Sequence, residues 1–322
     1  SLIYASKKRF DLVYTRNEFI AIASVALGKN TVFEHYRKFG DEYPRLVRWL
    51  SKWTHKPNFL GMILHSDIAK KSMQRAGFPE EKLLVCHNGF DFADMQPMLT
   101  KTEARQKLGW ETGNRYVVYT GNMQPNKGME SLVEVAALLP GIYFVLVGGT
   151  PTDIERLQNF AAERQAKNLV FTGYQPIKEV SKYLYAADAL IIPPDSAPLE
   201  KHGRTVLPFK TFLYLAAGRP VVAPRQPDME EVLVHEYNSL LVEPNNFADC
   251  ARAIERLLND PALHLKICEN AAASVKELTW EERARKIIGW LTEVYFKKSE
   301  GGQRQAEWKH PHVSDTSKVS DT

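Results

Sequence analysis

The sequence has 322 residues, of which 44% are apolar and 25% charged, with 42 Lys and Arg against 38 Asp and Glu. This composition is typical of a globular protein and excludes a disordered chain, a collagen-like repeat and a small disulfide scaffold. At roughly 150 residues per domain, the length predicts two domains. The first residue is Ser1 rather than Met, so we expect the beginning of the chain to be incomplete.

The number of cysteines and the length of the apolar runs indicate the cellular compartment of the protein. Three cysteines occur, Cys86, Cys250 and Cys268, and their number and wide spacing match neither a disulfide framework nor a zinc cluster. No uncharged apolar run reaches the roughly 18 residues that a membrane span needs. The sequence therefore predicts a cytoplasmic protein.

Positive charge is concentrated in the first part of the chain. Residues 1–82 contain 15 Lys and Arg against 8 Asp and Glu, whereas the remainder contains 27 against 30. Two interpretations stay open: an ordinary solvated surface, or a surface that meets an anionic partner such as a lipid membrane or a phosphate-bearing substrate. No finger spacing or regularly spaced basic helix favours nucleic acid, so no nucleic-acid partner is predicted. The second interpretation predicts weak peripheral contact with the inner face of an anionic membrane.

The first part of the chain alternates strands and helices. Strands are predicted at 11–14, 31–34, 59–64 and 83–86, and helices at 18–27, 44–53 and 66–76. These strands are too few for a complete doubly wound domain. We therefore predict an incomplete first domain over residues 1–87, followed by a linker over residues 88–114.

The second part repeats the same pattern more regularly. Strands are predicted at 115–119, 142–147, 168–171, 189–192, 220–223 and 240–242, and helices at 127–139, 153–166, 176–187, 208–217, 229–235, 247–259 and 262–278. Because the strands are apolar throughout, they favour a parallel sheet covered by helices on both faces. The sequence therefore predicts a doubly wound α/β domain over 115–278 that binds ligands at the carboxyl ends of its strands. A final helix is predicted within 279–298, and residues 299–322 are predicted to be disordered.

The loop from Gly121 to Gly128 follows a predicted strand and precedes a predicted helix. Backbone amides at a helix N-terminus favour an anion, and Lys127 can add a full positive charge. The spacing is not that of a Walker A loop. An ordinary turn with a solvated lysine is the alternative interpretation.

A second cluster of candidate residues precedes the helix predicted at 208–217. Thr205 and the free amides near it are suited to a phosphate oxygen. Lys210 lies in the first turn, where the helix dipole disfavours a cation unless an anion is bound. His35 ends a predicted strand, where either a structural or a catalytic role is open. No metal-ligand spacing and no nucleophile elbow occurs, so neither a metal centre nor a hydrolytic triad is predicted.

Six segments in order resemble the retaining GT-B-fold glycosyltransferases that use nucleotide sugars (glycosyl transferases group 1, family 4-like). They are 85–91, 119–128, 146–149, 171–188, 208–222 and 238–244. The resemblance covers residues 60–297. It implies two Rossmann-like domains facing across a cleft, with the final helix returning to the first domain.

The resemblance also implies an activity: transfer of a hexose from a UDP- or GDP-sugar to a glycan or lipid-linked acceptor, with retention and without a metal or other cofactor. Under this resemblance the catalytic residues are His35 and Lys127. The implied donor-binding residues are Gly121, Asn122, Lys127, Gly128, Gly173, Tyr174, Glu200, Thr205, Val206, Leu207 and Lys210.

The chain departs from the family pattern at two donor positions. Asn122 stands where members commonly carry Arg, and Leu213 stands where they carry a ribose-binding Glu. These departures keep two alternatives open: a catalytically degenerate GT-B module that binds a glycan or a partner protein, and a sugar-nucleotide epimerase on the same architecture.

Overall fold

The structure, a computed structural model, describes residues 12–197 and 207–300. Two parallel sheets organise these residues, a four-stranded sheet in the first part and a six-stranded sheet in the second. Residues 301–322 of the tail predicted at 299–322 lie outside the described residues, as do the candidate residues Glu200, Thr205 and Val206, whereas residues 299 and 300 belong to the last helix.

The first sheet has its strands in chain order, all parallel. The strands are β1 (Val13–Thr15), β2 (Thr31–His35), β3 (Phe59–Leu64) and β4 (Leu83–Val85). The connecting helices are α1 (Glu18–Ala26), α2 (Phe39–Glu42), α3 (Pro44–Ser51) and α4 (Asp67–Arg75). Asn17 and Ser66 cap α1 and α4 with their side chains, which explains where these two helices begin.

Alternate residues of the first sheet bury opposite faces. Phe33 and Met62 pack in one core with the connecting helices. Val32 and Ile63 pack on the other face against Ile287, which belongs to the last helix of the chain. Both faces of the sheet are therefore apolar, as the continuous apolar strands indicate.

The second sheet has the order β10-β9-β8-β5-β6-β7 and all its strands are parallel. The strands are β5 (Tyr116–Thr120), β6 (Tyr143–Val147), β7 (Leu169–Gly173), β8 (Ala189–Ile191), β9 (Val221–Pro224) and β10 (Ser239–Val242). The helices are α5 (Lys101–Leu108), α6 (Met129–Leu138), α7 (Pro151–Glu163), α8 (Ile177–Ala186), α9 (Lys210–Ala216), α10 (Phe247–Asn259), α11 (Pro261–Ser274) and α12 (Trp280–Glu300). The predicted six parallel strands are confirmed.

The strand order of the second sheet reverses at β5. The chain runs outward from β5 through β6 to β7 and then returns to place β8 on the other side of β5. Helices α6, α7 and α10 cover one face, and α5, α8 and α9 cover the other. In such doubly wound sheets ligands bind at the carboxyl edge beside the reversal point, which here is the loop after β5.

The chain passes between the two domains twice, and the two crossing segments contact each other. Phe90 and Thr279 form a backbone bridge, with the Phe90 amide donating to the Leu278 carbonyl at 3.2 Å. A side chain at Gly89 would come within 2.7 Å of the Thr279 backbone, so this crossing needs glycine. Helix α12 then packs against the first sheet.

A carboxylate joins the two parts at a second place. Glu231 accepts hydrogen bonds from the amides of Asp67 at 2.8 Å and Ile68 at 3.1 Å, at the N-terminus of α4. The His87 ring lies 3.6 Å from the same carboxylate. Glu231 belongs to the second domain, and it accepts hydrogen bonds from amides at the N-terminus of a first-domain helix that have no partner within the helix. The helix dipole also favours an anion at this N-terminus.

Two predictions of local structure need correction. The predicted linker contains helix α5, which begins at Thr100 in a capping box with Glu103 and packs on α8. The helix predicted at 229–235 is only a 3₁₀ turn over Met229–Glu231, because Asn238 bonds the backbone of Val232 and Val234 in place of helical partners.

Candidate active site

The candidate site lies where the loops after β5, β6 and β7 meet. The Gly121 amide donates to the Val147 carbonyl, and the Gly148 amide donates to the Gly173 carbonyl, each at 2.9 Å. Gly148 has φ +119°, and a Cβ there would lie 2.2 Å from the Gly121 oxygen. Glycine is therefore required where these loops cross, and at the crossing the backbone is not covered by side chains.

A cavity of 980 Å³ opens above these loops. Its lining residues come from the second domain: Thr120, Gly121, Asn122, Val147, Gly148, Gly149, Thr150, Pro151, Ile154, Gly173, Tyr174, Gln175, Ile177, Val180, Phe209, Lys210 and Leu213. Five residues predicted to bind the donor are among them, namely Gly121, Asn122, Gly173, Tyr174 and Lys210. The structure thus brings these five together around one space.

Lys210 is the only charged residue among the described residues that line the cavity. It is the first residue of α9, and its Nζ lies 3.7 Å from the centre of the Tyr119 ring. Burial, together with the charge of nearby Lys127, holds the pKa of Lys210 well below its ordinary value. No described carboxylate pairs with Lys210, so an anion that enters the cavity would stabilise the protonated form of this lysine, which has no countercharge among the described residues.

Lys127 and Gly128 lie behind the cavity wall. Gly128 has φ +72° and is the N-cap of α6, so the helix begins at Met129 rather than at Lys127. Its Cα packs against Asp195 and Pro193, where a Cβ would come within 2.8 Å of Asp195. Lys127 is half-buried, and within the described ranges no carboxylate pairs with it. The charge of Lys127 affects the site because it lowers the pKa of Lys210.

The loop after β5 is held in place by hydrogen bonds. Tyr214 accepts a hydrogen bond from the Thr120 amide at 2.8 Å, and the Tyr119 hydroxyl donates to the Asn122 carbonyl at 2.8 Å. The Asn122 side chain accepts from the Gln124 amide at 2.8 Å, which is an Asx turn. Asn122 therefore shapes the loop.

Much of the remaining lining is apolar. Leu213, Phe209, Ile154 and Val180 contribute side chains, and Tyr174 is 80% exposed at one end. Such a lining, with few polar groups and one cation, suits a ligand that has a flat apolar part and an anionic part.

His35 lies in the first domain, at the carboxyl end of β2, and does not line this cavity. Its Nδ1 accepts a hydrogen bond from the Arg37 amide at 3.2 Å, and its ring packs 4.6 Å from the ring of Phe39. Burial lowers the pKa of His35. Burial therefore favours the neutral form of this ring at the first-domain edge.

Leu207, another residue predicted to bind the donor, is 3% exposed and lies in the core between the sheet and α9. Its side chain is therefore a packing group, because the chain turns inward just before α9. The predicted roles of Glu200, Thr205 and Val206 fall outside the described residues.

A buried carboxylate network at the first-domain edge has no counterpart in the sequence analysis. Glu34 is 3% exposed and accepts hydrogen bonds from Tyr14, from Arg16 and His65 at 2.5 Å each, and from Arg283 of α12 at 3.0 Å. Burial alone raises the pKa of Glu34, but these hydrogen bonds outweigh burial and hold it well below its usual range. The network ties the last helix to the ends of three strands.

Sequence reasoning also missed part of the cavity itself. Gly148 and Gly149 are not among the predicted donor-binding residues, although consecutive glycines after an apolar strand indicate close backbone approach. Among the described residues, no group of three or more His, Cys, Asp and Glu is placed to hold a metal ion. No described helix has the length and apolar character needed to cross a bilayer.

The second domain is a doubly wound sheet with a cavity at its reversal point, and it is joined to a second parallel sheet. This arrangement is typical of nucleotide-binding folds. Residues 100–274 match the family described as "Glycosyl transferases group 1". The chain belongs to this family, which confirms the resemblance.

Individual relatives and solved structures agree with this assignment. The chain is 28% identical over 228 residues (68% of this chain, 52% of the relative) to the D-inositol 3-phosphate glycosyltransferase of Pseudarthrobacter chlorophenolicus. It is 29% identical over 297 residues (86% and 61%) to the protein of the same name from Acidothermus cellulolyticus. The chain thus spans about half to three-fifths of the length of these curated relatives.

The fold matches that of Anabaena Alr3699/HepE in complex with UDP, with a TM-score of 0.75, 21% identity, and coverage of 91% of this chain and 80% of that one. Sucrose-phosphate synthase from Thermosynechococcus elongatus gives a TM-score of 0.73 at 19% identity, with coverage of 92% and 76%. The predicted GT-B fold, with two Rossmann-like domains, is confirmed.

Proposed function

We propose that this chain transfers a hexose from a nucleoside diphosphate sugar, UDP- or GDP-linked, to a glycan or lipid-linked acceptor. The observation that carries the proposal is Lys210, a buried lysine without a carboxylate partner among the described residues, at the wall of a large and otherwise uncharged cavity. A diphosphate supplies the missing negative charge, and the apolar lining accepts the base. The nucleotide sugar is the co-substrate, and no further cofactor is proposed.

The relatives support the same chemistry. Two are named as D-inositol 3-phosphate glycosyltransferases, and the Anabaena protein has been solved with UDP and with UDP-glucose. These ligands belong to those proteins, and the shared family and fold are the reason for extending the chemistry to this chain.

In the proposed reaction, positive charge stabilises the departing nucleoside diphosphate. Lys210 faces the cavity and Lys127 adds its charge from behind, so both favour negative charge that develops on the leaving oxygen. We propose that these cations make the transfer independent of a metal ion. Retention follows the family resemblance, and His35 is assigned to the first-domain side of the transferred sugar on the same basis.

The acceptor is assigned to the carboxyl edge of the first sheet. Arg16 follows β1, His35 ends β2, His65 follows β3 and His87 follows β4 shortly after its end. Because parallel strands end at the same edge, these polar residues share one side of the domain.

The test is an assay of donor consumption with UDP- and GDP-hexoses, run with glycan or lipid-linked acceptors and in the presence of a chelator. We expect consumption of one donor, with an α-linked product from an α-linked donor, and its loss in Lys127→Ala. The exposed Lys167→Ala variant is the matched control and should keep full activity. Donor consumption that requires a divalent cation, or a product with inverted configuration, would contradict those parts of the proposal.

The alternative, a degenerate module that binds without turnover, is favoured by Asn122 and Leu213. Asn122 uses its side chain to shape the loop, and Leu213 presents an apolar group to the cavity. Saturable nucleotide binding with no consumption of any donor sugar would support this alternative over the transferase.

Leu213 provides a prediction about the ribose. Replacing it by Glu places a carboxylate on the cavity wall, where it can accept hydrogen bonds from ribose hydroxyls. A hydrogen bond to a charged group contributes about 1.5 kcal/mol or more, so we expect UDP to bind roughly tenfold more tightly. Isothermal titration of Leu213→Glu with UDP measures the change.

Two controls isolate the ribose contribution. Leu213→Met conserves volume and should leave UDP affinity unchanged. Inorganic pyrophosphate carries no ribose, so Leu213→Glu should bind it no better than the unchanged chain does. A gain for pyrophosphate equal to the gain for UDP would refute the assignment of ribose to this wall.

A further inference from the structure

We propose that Arg156 is a positioning residue for the donor loop, the segment from Gly121 to Gly128 that joins β5 to α6. The inference rests on the proposed function, in which this loop borders the bound nucleoside diphosphate. Arg156 lies on α7 and is not among the described residues that line the cavity. It therefore acts on the ligand through the loop.

The donor loop has one buried anchor. All its residues belong to the described part of the chain, and between its two end glycines only Met123 is fully buried, while residues 124–126 are exposed. The Met123 side chain packs under Gly149, where a Cβ would come within 2.8 Å of the Met123 Sδ. Exposed segments make few contacts that fix their conformation. The groups that hold Met123 therefore determine much of the path of the loop.

The peptide bond between Met123 and Gln124 is held on both sides. Its carbonyl accepts a hydrogen bond from Nη2 of Arg156 at 2.7 Å, and its amide donates to Oδ1 of Asn122 at 2.8 Å. Because a trans peptide bond is planar, with its N–H and C=O on opposite sides, these two hydrogen bonds fix the orientation of the plane. Asn122 lines the cavity, so this peptide bond adjoins the space for the ligand.

The guanidinium of Arg156 also contacts the helix that follows the loop. It donates to the carboxylate of Glu130, which lies in the first turn of α6. The Nε of Arg156 is buried and has no hydrogen-bond partner among the described residues, so the side chain gives up hydration to reach both acceptors. Arg156 therefore ties the middle of the donor loop to the helix that begins after it.

A second arginine provides the contrast. Arg164, the C-cap of α7, pairs with Glu134 of α6 at 2.7 Å, so a similar ion pair joins the same two helices at a distance from the loop. No contact of Arg164 with the donor loop occurs within the described residues. The two arginines therefore separate a role in positioning the loop from a role in joining the helices.

The first experiment measures how fast trypsin cleaves the folded protein between Lys127 and Gly128. Cleavage requires the loop to leave its native conformation, so its rate follows the fraction of open loop. Arg156→Met removes a hydrogen bond from a charged donor, and we expect cleavage about tenfold faster. Arg164→Met is the matched control and should be cleaved as the unchanged chain is. Equal acceleration in both variants, or none in Arg156→Met, would overturn the proposal.

Melting curves accompany the cleavage assay. If Arg156→Met melts below the assay temperature, Arg156→Lys takes its place, because lysine keeps the charge but lacks the fork that reaches both acceptors. Arg156→Lys should also be cleaved faster at Lys127 than the unchanged chain. An unchanged cleavage rate in this folded variant would contradict the assignment.

The second experiment titrates the same variants with UDP, GDP and inorganic pyrophosphate. Apparent affinity falls in proportion to the fraction of loop in its binding conformation. Arg156→Met should therefore bind pyrophosphate and the preferred nucleotide each about tenfold more weakly, whereas Arg164→Met should bind both as the unchanged chain does. Faster cleavage with unchanged affinity for both ligands would refute a role in donor binding. Absence of binding by the unchanged chain would contradict the proposed function itself, and the cleavage rates decide independently whether Arg156 holds the loop.

Discussion

Replacing Lys210 by Met is expected to lower kcat/KM for the donor by about 100- to 1,000-fold, the effect of removing one preorganised group that stabilises a developing charge. Lys210 is the only charged group on the described cavity wall, so no other side chain of that wall replaces its charge. The free protein should not lose stability, since the substitution removes a buried cation that lies near Lys127. Steady-state kinetics and a melting curve measure the two effects.

The same lysine predicts that nucleotide binding takes up protons at pH values between the pKa of Lys210 in the free protein and its pKa in the complex. In the free protein, burial and the charge of Lys127 hold the pKa of Lys210 below its ordinary value, whereas a bound diphosphate stabilises the ammonium and raises that pKa. Affinity should therefore fall as pH rises through the pKa of the bound state. Titration in buffers with different ionisation enthalpies detects the proton.

Lys210→Met should show no proton uptake, and Lys167→Met, at an exposed surface position, should behave as the unchanged chain. Full activity in Lys210→Met would contradict the assignment. A variant that unfolds would be recognised by its melting curve, and Lys210→Arg, which keeps the charge, should then retain part of the activity.

The second large effect is on stability. Glu34→Gln is expected to destabilise the protein by about 3 kcal/mol, because it leaves the nearby cations of a buried network uncompensated. For a chain of 322 residues, whose unfolding entropy is about 2.1 cal/mol/K per residue, that corresponds to a fall of about 4–5 °C in melting temperature. The control is Glu236→Gln, whose carboxylate pairs with Arg256 at an exposed position and should contribute little.

The pH dependence of this effect has a defined sign. Because the folded state lowers the pKa of Glu34, its contribution is present above the ordinary glutamate pKa and is lost as pH falls below it. The stability difference between the unchanged chain and Glu34→Gln should therefore be constant near neutral pH and shrink in acid. A difference that grows in acid would contradict the network.

The second domain was predictable because its signals are local. Continuous apolar strands such as β6 and their alternation with amphipathic helices are visible in one sequence. The loop after β5 was predictable for the same reason, since Gly121 and Gly128 adopt positive φ at each end of it. Helix α5, inside the predicted linker, also has a local signal, the Thr100–Glu103 capping box followed by Gly109.

Contacts between distant residues left no such signal. Glu231 binds amides 164 residues earlier in the chain, and Arg283 reaches Glu34 across 249 residues. The helix predicted at 229–235 is wrong for the same reason, because the side chain of Asn238 takes the place of the helical backbone partners of Val232 and Val234. Such pairings depend on tertiary structure, which a single sequence does not display.

Equilibrium titration of the protein with UDP and GDP measures whether the cavity beside Lys210 binds a nucleoside diphosphate. We expect saturable one-to-one binding of one of them at submillimolar concentration, lost in Lys210→Met and kept in Lys167→Met. No saturable binding of either nucleotide by the folded protein would contradict this expectation.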